Sequence, residues 1–120
     1  MRALNTLLNS YDGDENGFIT AKGSVSCPTC SKTNEFVISD GISASKVDIS
    51  YCNKVLANIP HIKEIRVGDS CFYKVNGLPV QFHHMTCAEC GELFTAVVGA
   101  GEYQSCRYMA VLVKVVIDRA

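Results

Sequence analysis

The chain has 120 residues, 48% of them hydrophobic and 19% charged, which describes one folded domain (residues 1–120) and excludes a disordered tail. Eleven basic residues against twelve acidic ones leave a net charge of -1, without the strong positive field of a general nucleic-acid binder. No apolar stretch reaches membrane-spanning length, and Asn5 and Asn9 interrupt the first segment too early for a signal-peptide core, so a cytoplasmic, reducing setting is expected. In that setting an odd count of seven cysteines favours metal ligation over disulfides.

Leu4, Leu7, Leu8 and Tyr11 recur at helical spacing and predict a short amphipathic helix over residues 3–11. A polar turn at 12–17 leads to predicted strands at 18–20 and 24–26, then to Cys27-Pro28-Thr29-Cys30. Phe36, Val37 and Ile38 read as the returning strand. Between Gly41 and Pro60, Ser45 and Asp48 have capping-box spacing, and Val47, Tyr51, Cys52, Val55, Leu56 and Ile59 form one apolar face, which predicts a helix ended by Pro60.

A strand at 65–67 and a Gly68-Asp69 turn precede two apolar runs, 72–75 and 78–82, joined by Asn76-Gly77, a strong hairpin signal. That turn would put Val75 opposite Leu78, with Cys71, Tyr73, Val80, Phe82 and His84 on the same face. Pro79 then falls opposite Lys74, with its strand expected at a sheet edge there. Residues 93–98 and 107–117 predict two further strands around a turn at 99–101. The last is apolar on both faces except at Lys114, as a central strand would be.

Cys27, Cys30, Cys87 and Cys90 carry the chemistry. A CxxC turn aims two sulfurs at one point, and two such turns supply the four thiolates of a structural zinc site. Iron in the same cage and redox cysteines are the alternatives. The segments around Cys27-Pro28-Thr29-Cys30 and Cys87-Ala88-Glu89-Cys90-Gly91 resemble the two knuckles of a zinc ribbon. Gly91 fits a closing position with positive φ, and Phe36 and Phe94 fit the apolar places beneath the metal. The resemblance covers residues 24–39 and 80–117. It implies an α+β fold: a zinc-ribbon-like antiparallel sheet with a short N-terminal helix and a helix-plus-hairpin insert at about 41–81. The chain departs from a compact ribbon in one respect. Fifty-six residues separate Cys30 from Cys87, where about 15–20 is usual.

Other features point less far. Cys52 and Cys71 fall on inward faces and read as buried thiols, and Cys106 also lies outside the pairs. Asp12, Asp14, Asn16 and Gly17 match the start of a calcium loop, but its twelfth position is Gly23 in place of a bidentate Glu, so a polar turn is expected. His83 and His84 alternate to opposite strand faces, and a four-thiolate site leaves no open position for water, so neither is expected to be catalytic. His61 has no partner in sequence. The expectation is a small non-enzymatic protein, an adaptor, inhibitor or accessory subunit, working through a protein partner. Its contact residues would be Lys54, Lys63, Arg66 and Lys74 in the insert. A nucleic-acid-binding ribbon is the alternative, with Lys46 added to those cations and Tyr51, Phe72 and Tyr73 for stacking. An enzyme would need a site that no motif supplies.

Overall fold

A strand apolar on both faces needs a neighbour along each edge and a layer over each face. Residues 107–117 obtain both. The computed structural model describes residues 3–57, 59, 62–67, 70–75 and 77–117, with backbone alone for 3–10, 66–67 and 70–72. Its elements are β1 (Ala3–Gly13), α1 (Glu15–Thr20), β2 (Lys22–Ser26), β3 (Thr33–Val37), β4 (Ile42–Ser43), α2 (Ile49–Val55), β5 (Ile62–Val67), β6 (Ser70–Val75), β7 (Leu78–Thr86), β8 (Leu93–Gln104) and β9 (Arg107–Ile117). The main sheet is antiparallel in the order β1-β9-β8-β7-β6-β5, with β4 also paired to β7. β2 and β3 form a separate two-stranded ribbon.

The helix expected over residues 3–11 is a strand instead. β1 runs antiparallel to β9, from Ala3 opposite Val116 to Gly13 opposite Tyr108. Without it β9 would leave a full row of backbone donors and acceptors unpaired. Two register shifts, between Asn5 and Leu8 and between Asn9 and Tyr11, each give β1 one residue more than β9. Such bulges break the period-two pattern, which is why the leucine spacing mimics a helix.

The expected strand at 18–20 belongs to α1. Asp14 caps this helix by accepting from the Gly17 N–H at 2.8 Å, and Phe18 packs between Tyr11 and Tyr108. The insert helix is shorter than its apolar pattern. Ser45 lies in a 3₁₀ turn, and Asp48 alone caps α2, accepting from the Ser50 N–H at 2.7 Å. The helix ends at Val55, and Lys114 caps that end, donating to the Val55 carbonyl at 2.9 Å and to the Ala57 carbonyl just beyond it at 3.4 Å. Cys52, Val55, Leu56 and Ile59 are buried, as the pattern requires. Pro60 lies outside the described residues.

The hairpin has the expected register, Val75 opposite Leu78 and Lys74 opposite Pro79, with Gly77 at φ 81°. Asn76, Gly68 and Asp69 lie outside the described residues. At Pro79, β7 has one strand partner among the described residues, as an edge position would. It pairs with β6 only at Leu78 and Pro79, then with β8 from Val80 onward, and Pro79 sits where the partner changes. The turn expected at 99–101 is absent, because β8 continues to Gln104 and turns at Ser105-Cys106. Gly99 serves close approach: a Cβ there would lie 2.4 Å from Val75 Cγ1.

Two apolar layers result. On one face, Phe94, Ala96, Val98, Leu112 and Val115 pack with Val25, Phe36 and Ile38 of the ribbon side. On the other, Val97, Val113 and Val116 pack with Cys52, Val55 and Leu56 of the α2 side. A bulge at Val113 turns both Val113 and Lys114 toward α2.

Candidate metal centre

Each knuckle is the same loop built twice. The Cys27 N–H donates to the Lys32 carbonyl at 2.8 Å, and the Ser31 N–H to the Cys27 carbonyl at 2.9 Å. Across the site, the Cys87 N–H donates to the Glu92 carbonyl at 2.9 Å, and the Gly91 N–H to the Cys87 carbonyl at 3.0 Å. The turn requires positive φ at its fifth residue, and Gly91 has 76° there. Ser31 holds the equivalent place at 68°, where a side chain is strained. The spacing of the knuckles was enough to find Ser31, because it follows Cys30 as Gly91 follows Cys90.

The four sulfurs converge. Cys27 Sγ lies 3.7 Å from Cys90 Sγ, Cys30 Sγ lies 3.6 Å from Cys87 Sγ, and all four fall within 4.8 Å of one another. A tetrahedron with metal–sulfur bonds of about 2.3 Å has edges of about 3.8 Å, so the set fits one metal ion of that size. Cys27 and Cys87, the first residue of each pair, are buried, whereas Cys30 and Cys90 are exposed. The fifty-six-residue separation is therefore no obstacle, since the β2–β3 ribbon packs on the sheet that carries β7 and β8 and so brings the knuckles together.

Asn34 ties the two knuckles, and the sequence reading missed it. Its Nδ2 donates to the Lys32 carbonyl at 2.9 Å and contacts Cys87 Sγ at 3.6 Å. Its Oδ1 accepts from the Ala88 N–H at 3.1 Å. The only sequence signal is a polar residue at an inward position of β3. Thr29 adds a second link, donating from its hydroxyl to Glu92 Oε1 at 2.9 Å.

Electrostatics divide the thiols. The Cys90 backbone N–H, helped by Glu89, Asn34 and Cys30, brings Cys87 down to about 6 against the cost of burial. Cys90 gains from the Glu92 backbone, but desolvation and the three neighbouring thiols outweigh that and push it up. Cys30 is likewise raised, as burial and the Cys87 and Cys27 thiols outweigh the help of the Lys32 backbone. The Cys87 proton leaves readily, and those of Cys30 and Cys90 are held by crowding that a bound cation would relieve.

The two histidines part as strand alternation requires. His83 is buried against Phe36, with ring centroids 4.4 Å apart. Gln81 Nε2 donates to the Ile38 carbonyl at 2.8 Å and lies 2.7 Å from His83 Nε2, which therefore accepts. Burial takes His83 down to about 4, with Asp40 opposing and His84 assisting. On the other face, His84 Nδ1 lies 2.8 Å from Thr95 Oγ1, which also accepts from Tyr51 at 3.1 Å. Thr95 is fully buried, so this hydroxyl is a brace between α2 and the sheet and no substrate can reach it.

Asp12 and Asp14 are committed to local structure. Asp14 caps α1, and Asp12 pairs with Arg107 at 2.9 Å and accepts from Tyr103 at 2.8 Å. The insert cations do not form one patch. Lys63 and Lys74 sit directly opposite each other on β5 and β6, whereas Lys54 is exposed on α2. Lys63 and Lys74 alternate with Ile62, Tyr73 and Val75, which pack on the α2 side, so they point away from Lys54's layer. Arg66 belongs to β5, opposite Cys71, and both side chains lie outside the described residues, as does His61. Cys52 is a buried thiol donating to the Ala44 carbonyl at 3.4 Å, and Cys106 is exposed at the β8–β9 turn.

Comparisons with family models, curated proteins and solved structures return no match. The functional reading therefore rests on geometry. Among the described residues, no helix is long and apolar enough to cross a membrane.

Proposed function

We propose that the chain is a small zinc-stabilised binding protein, non-enzymatic, acting as adaptor, inhibitor or accessory subunit through a protein partner. The observation that carries this reading is the set of four convergent sulfurs on two equivalent knuckles. Four thiolates suit zinc, a borderline-soft ion without redox chemistry, and fill its tetrahedron, so no position remains for water or substrate. Bound there, the ion would supply folding energy to a two-stranded ribbon that is marginal alone. Elements that the metal does not need are then free to recognise a partner. Lys63 and Lys74, with Lys54 on the opposite layer and Arg66 farther along β5, are the insert cations that this reading assigns to the partner.

The Lys63–Lys74 pair also favours a second reading, nucleic-acid binding, in which both ammonium groups meet phosphate. Against it stand the net charge of -1 and the placement of Lys54 on the other layer. Affinity capture from the native host, with nuclease and a salt series, separates the two. A nuclease-resistant protein supports the first reading, and a salt-labile nucleic acid overturns it in favour of the second.

A further inference from the structure

Beside the metal centre lies a cleft of about 710 Å³. Thr33 to Val37 of β3 line one wall, and Phe82 to Thr86 of β7 line the other, each as an unbroken run. Side chains of a strand alternate between faces, so a wall made of consecutive residues is the strand's backbone margin. The pairings agree. Among the described residues, β3 is bonded to β2 along one margin only, and from His83 to Thr86 β7 is bonded to β8 alone. The free margin of β7 is already used once: the chain comes in through Gly41, which lies against the Gln81 and His83 side chains, and pairs as β4 with Phe82 and then Gln81. The remaining run from His83 to Thr86 is about 13 Å of open strand edge.

The walls also carry chemistry. Glu35 and Asp40 are exposed carboxylates at this cleft, and no lysine or arginine lines it. Hydrogen bonding from Gln81 and burial keep His83 an acceptor and neutral, so it does not offset them. Ile42, 43% exposed, and the half-buried Met85 add apolar surface.

We propose that this cleft takes up an extended, lysine- or arginine-bearing segment of the protein partner as an added strand. The segment continues β4's place along β7, pairing its backbone with the open margin. Its cationic side chains meet Glu35 and Asp40, and its alternate apolar side chains, on the other face, rest on Ile42 beside Phe82. This inference rests on the reading of the chain as a protein-binding module.

The test uses the intact metal-loaded protein and capped octapeptides: alternating Lys-Val, alternating Glu-Val, and Lys-Val with alternate backbone nitrogens methylated. Titration is followed by amide NMR shifts. Lys-Val should bind about tenfold or more tighter than Glu-Val, with shifts concentrated in 33–37 and 83–86, and methylation in one of its two registers should abolish binding. Glu35→Lys and Asp40→Lys, both at exposed positions, should each weaken Lys-Val several-fold while leaving metal content unchanged. Binding that ignores methylation, shifts mapping elsewhere, or no Lys-Val binding at millimolar concentration overturns the proposal. Self-association that fills the same residues, seen by light scattering, overturns it in favour of a second copy. A captured partner indifferent to Glu35→Lys and to saturating peptide overturns the cleft but leaves the partner reading standing. Peptide binding as expected with no protein captured supports the cleft and strikes at that reading.

Discussion

The two layers on the main sheet are held by different physics. On the ribbon side, β2 and β3 make a two-stranded sheet whose outer end is fixed by four sulfurs and Asn34. On the α2 side no cysteine cluster exists among the described residues. There the helix is held by Cys52, Val55 and Leu56 against Val97, Val113 and Val116, and by one buried lysine at its C-terminus. Both faces bury apolar side chains, and the ribbon face adds a four-sulfur set that could hold a metal ion.

Removing the metal should break this contrast most strongly. Chelation, or either Cys27→Ser or Cys87→Ser, is expected to unfold the ribbon and cost several kcal/mol, because metal binding is folding energy here. Hydrogen exchange should show protection in β2 and β3 lost first. Equal effects from the two serine variants are expected, and tolerance of one alone would contradict a shared site.

Acid should act next, and again on the ribbon side. His83 is held at about 4, below its ordinary value of 6.5, so the unfolded chain binds a proton that the folded one refuses. Stability should be flat above about pH 6.5 and fall as pH drops toward 4, by up to roughly 3 kcal/mol in all. Thermal melts of His83→Gln should lose most of this slope between about pH 6.5 and 5.5, before thiolate protonation intervenes.

Asn34→Ala sharpens the link between knuckles. It takes away the acceptor of the Ala88 N–H, at about 1–3 kcal/mol, while the Lys32 carbonyl keeps the Cys27 N–H, and should weaken metal affinity about 10–100-fold by competition titration. Lys114→Met tests the other layer. It strips the α2 carbonyls of a donor at about 1–2 kcal/mol in denaturant melts, with metal affinity unchanged. Smallest of all, Lys54→Glu and Lys63→Glu should alter stability by less than about 0.5 kcal/mol while weakening partner capture.

Much of the metal centre was legible because it is local. Each CxxC knuckle is set by a few adjacent residues, and Gly91 announces the turn it needs. The hairpin register was legible for the same reason, since Asn76-Gly77 fixes its neighbours. What misled depended on distant strands. Leucines at helical spacing in β1 became a bulged strand because β9 required a partner, and Gly99 marked close approach by Val75 in place of a turn. The donor that caps the end of α2, Lys114, lies fifty-nine residues beyond Val55, and no local pattern announces it. Asn34 escaped for a related reason, because its partners Ala88 and Cys87 lie in the other knuckle.

The central claim is that Cys27, Cys30, Cys87 and Cys90 close around one zinc ion. X-ray absorption at the zinc edge, on protein purified without chelator and assayed for metal by elemental analysis, tests it most directly. The account predicts one zinc per chain with four sulfur neighbours at about 2.3 Å. A chain without metal, a redox-active iron in its place, or a shell with a nitrogen or oxygen ligand and an open position would contradict it.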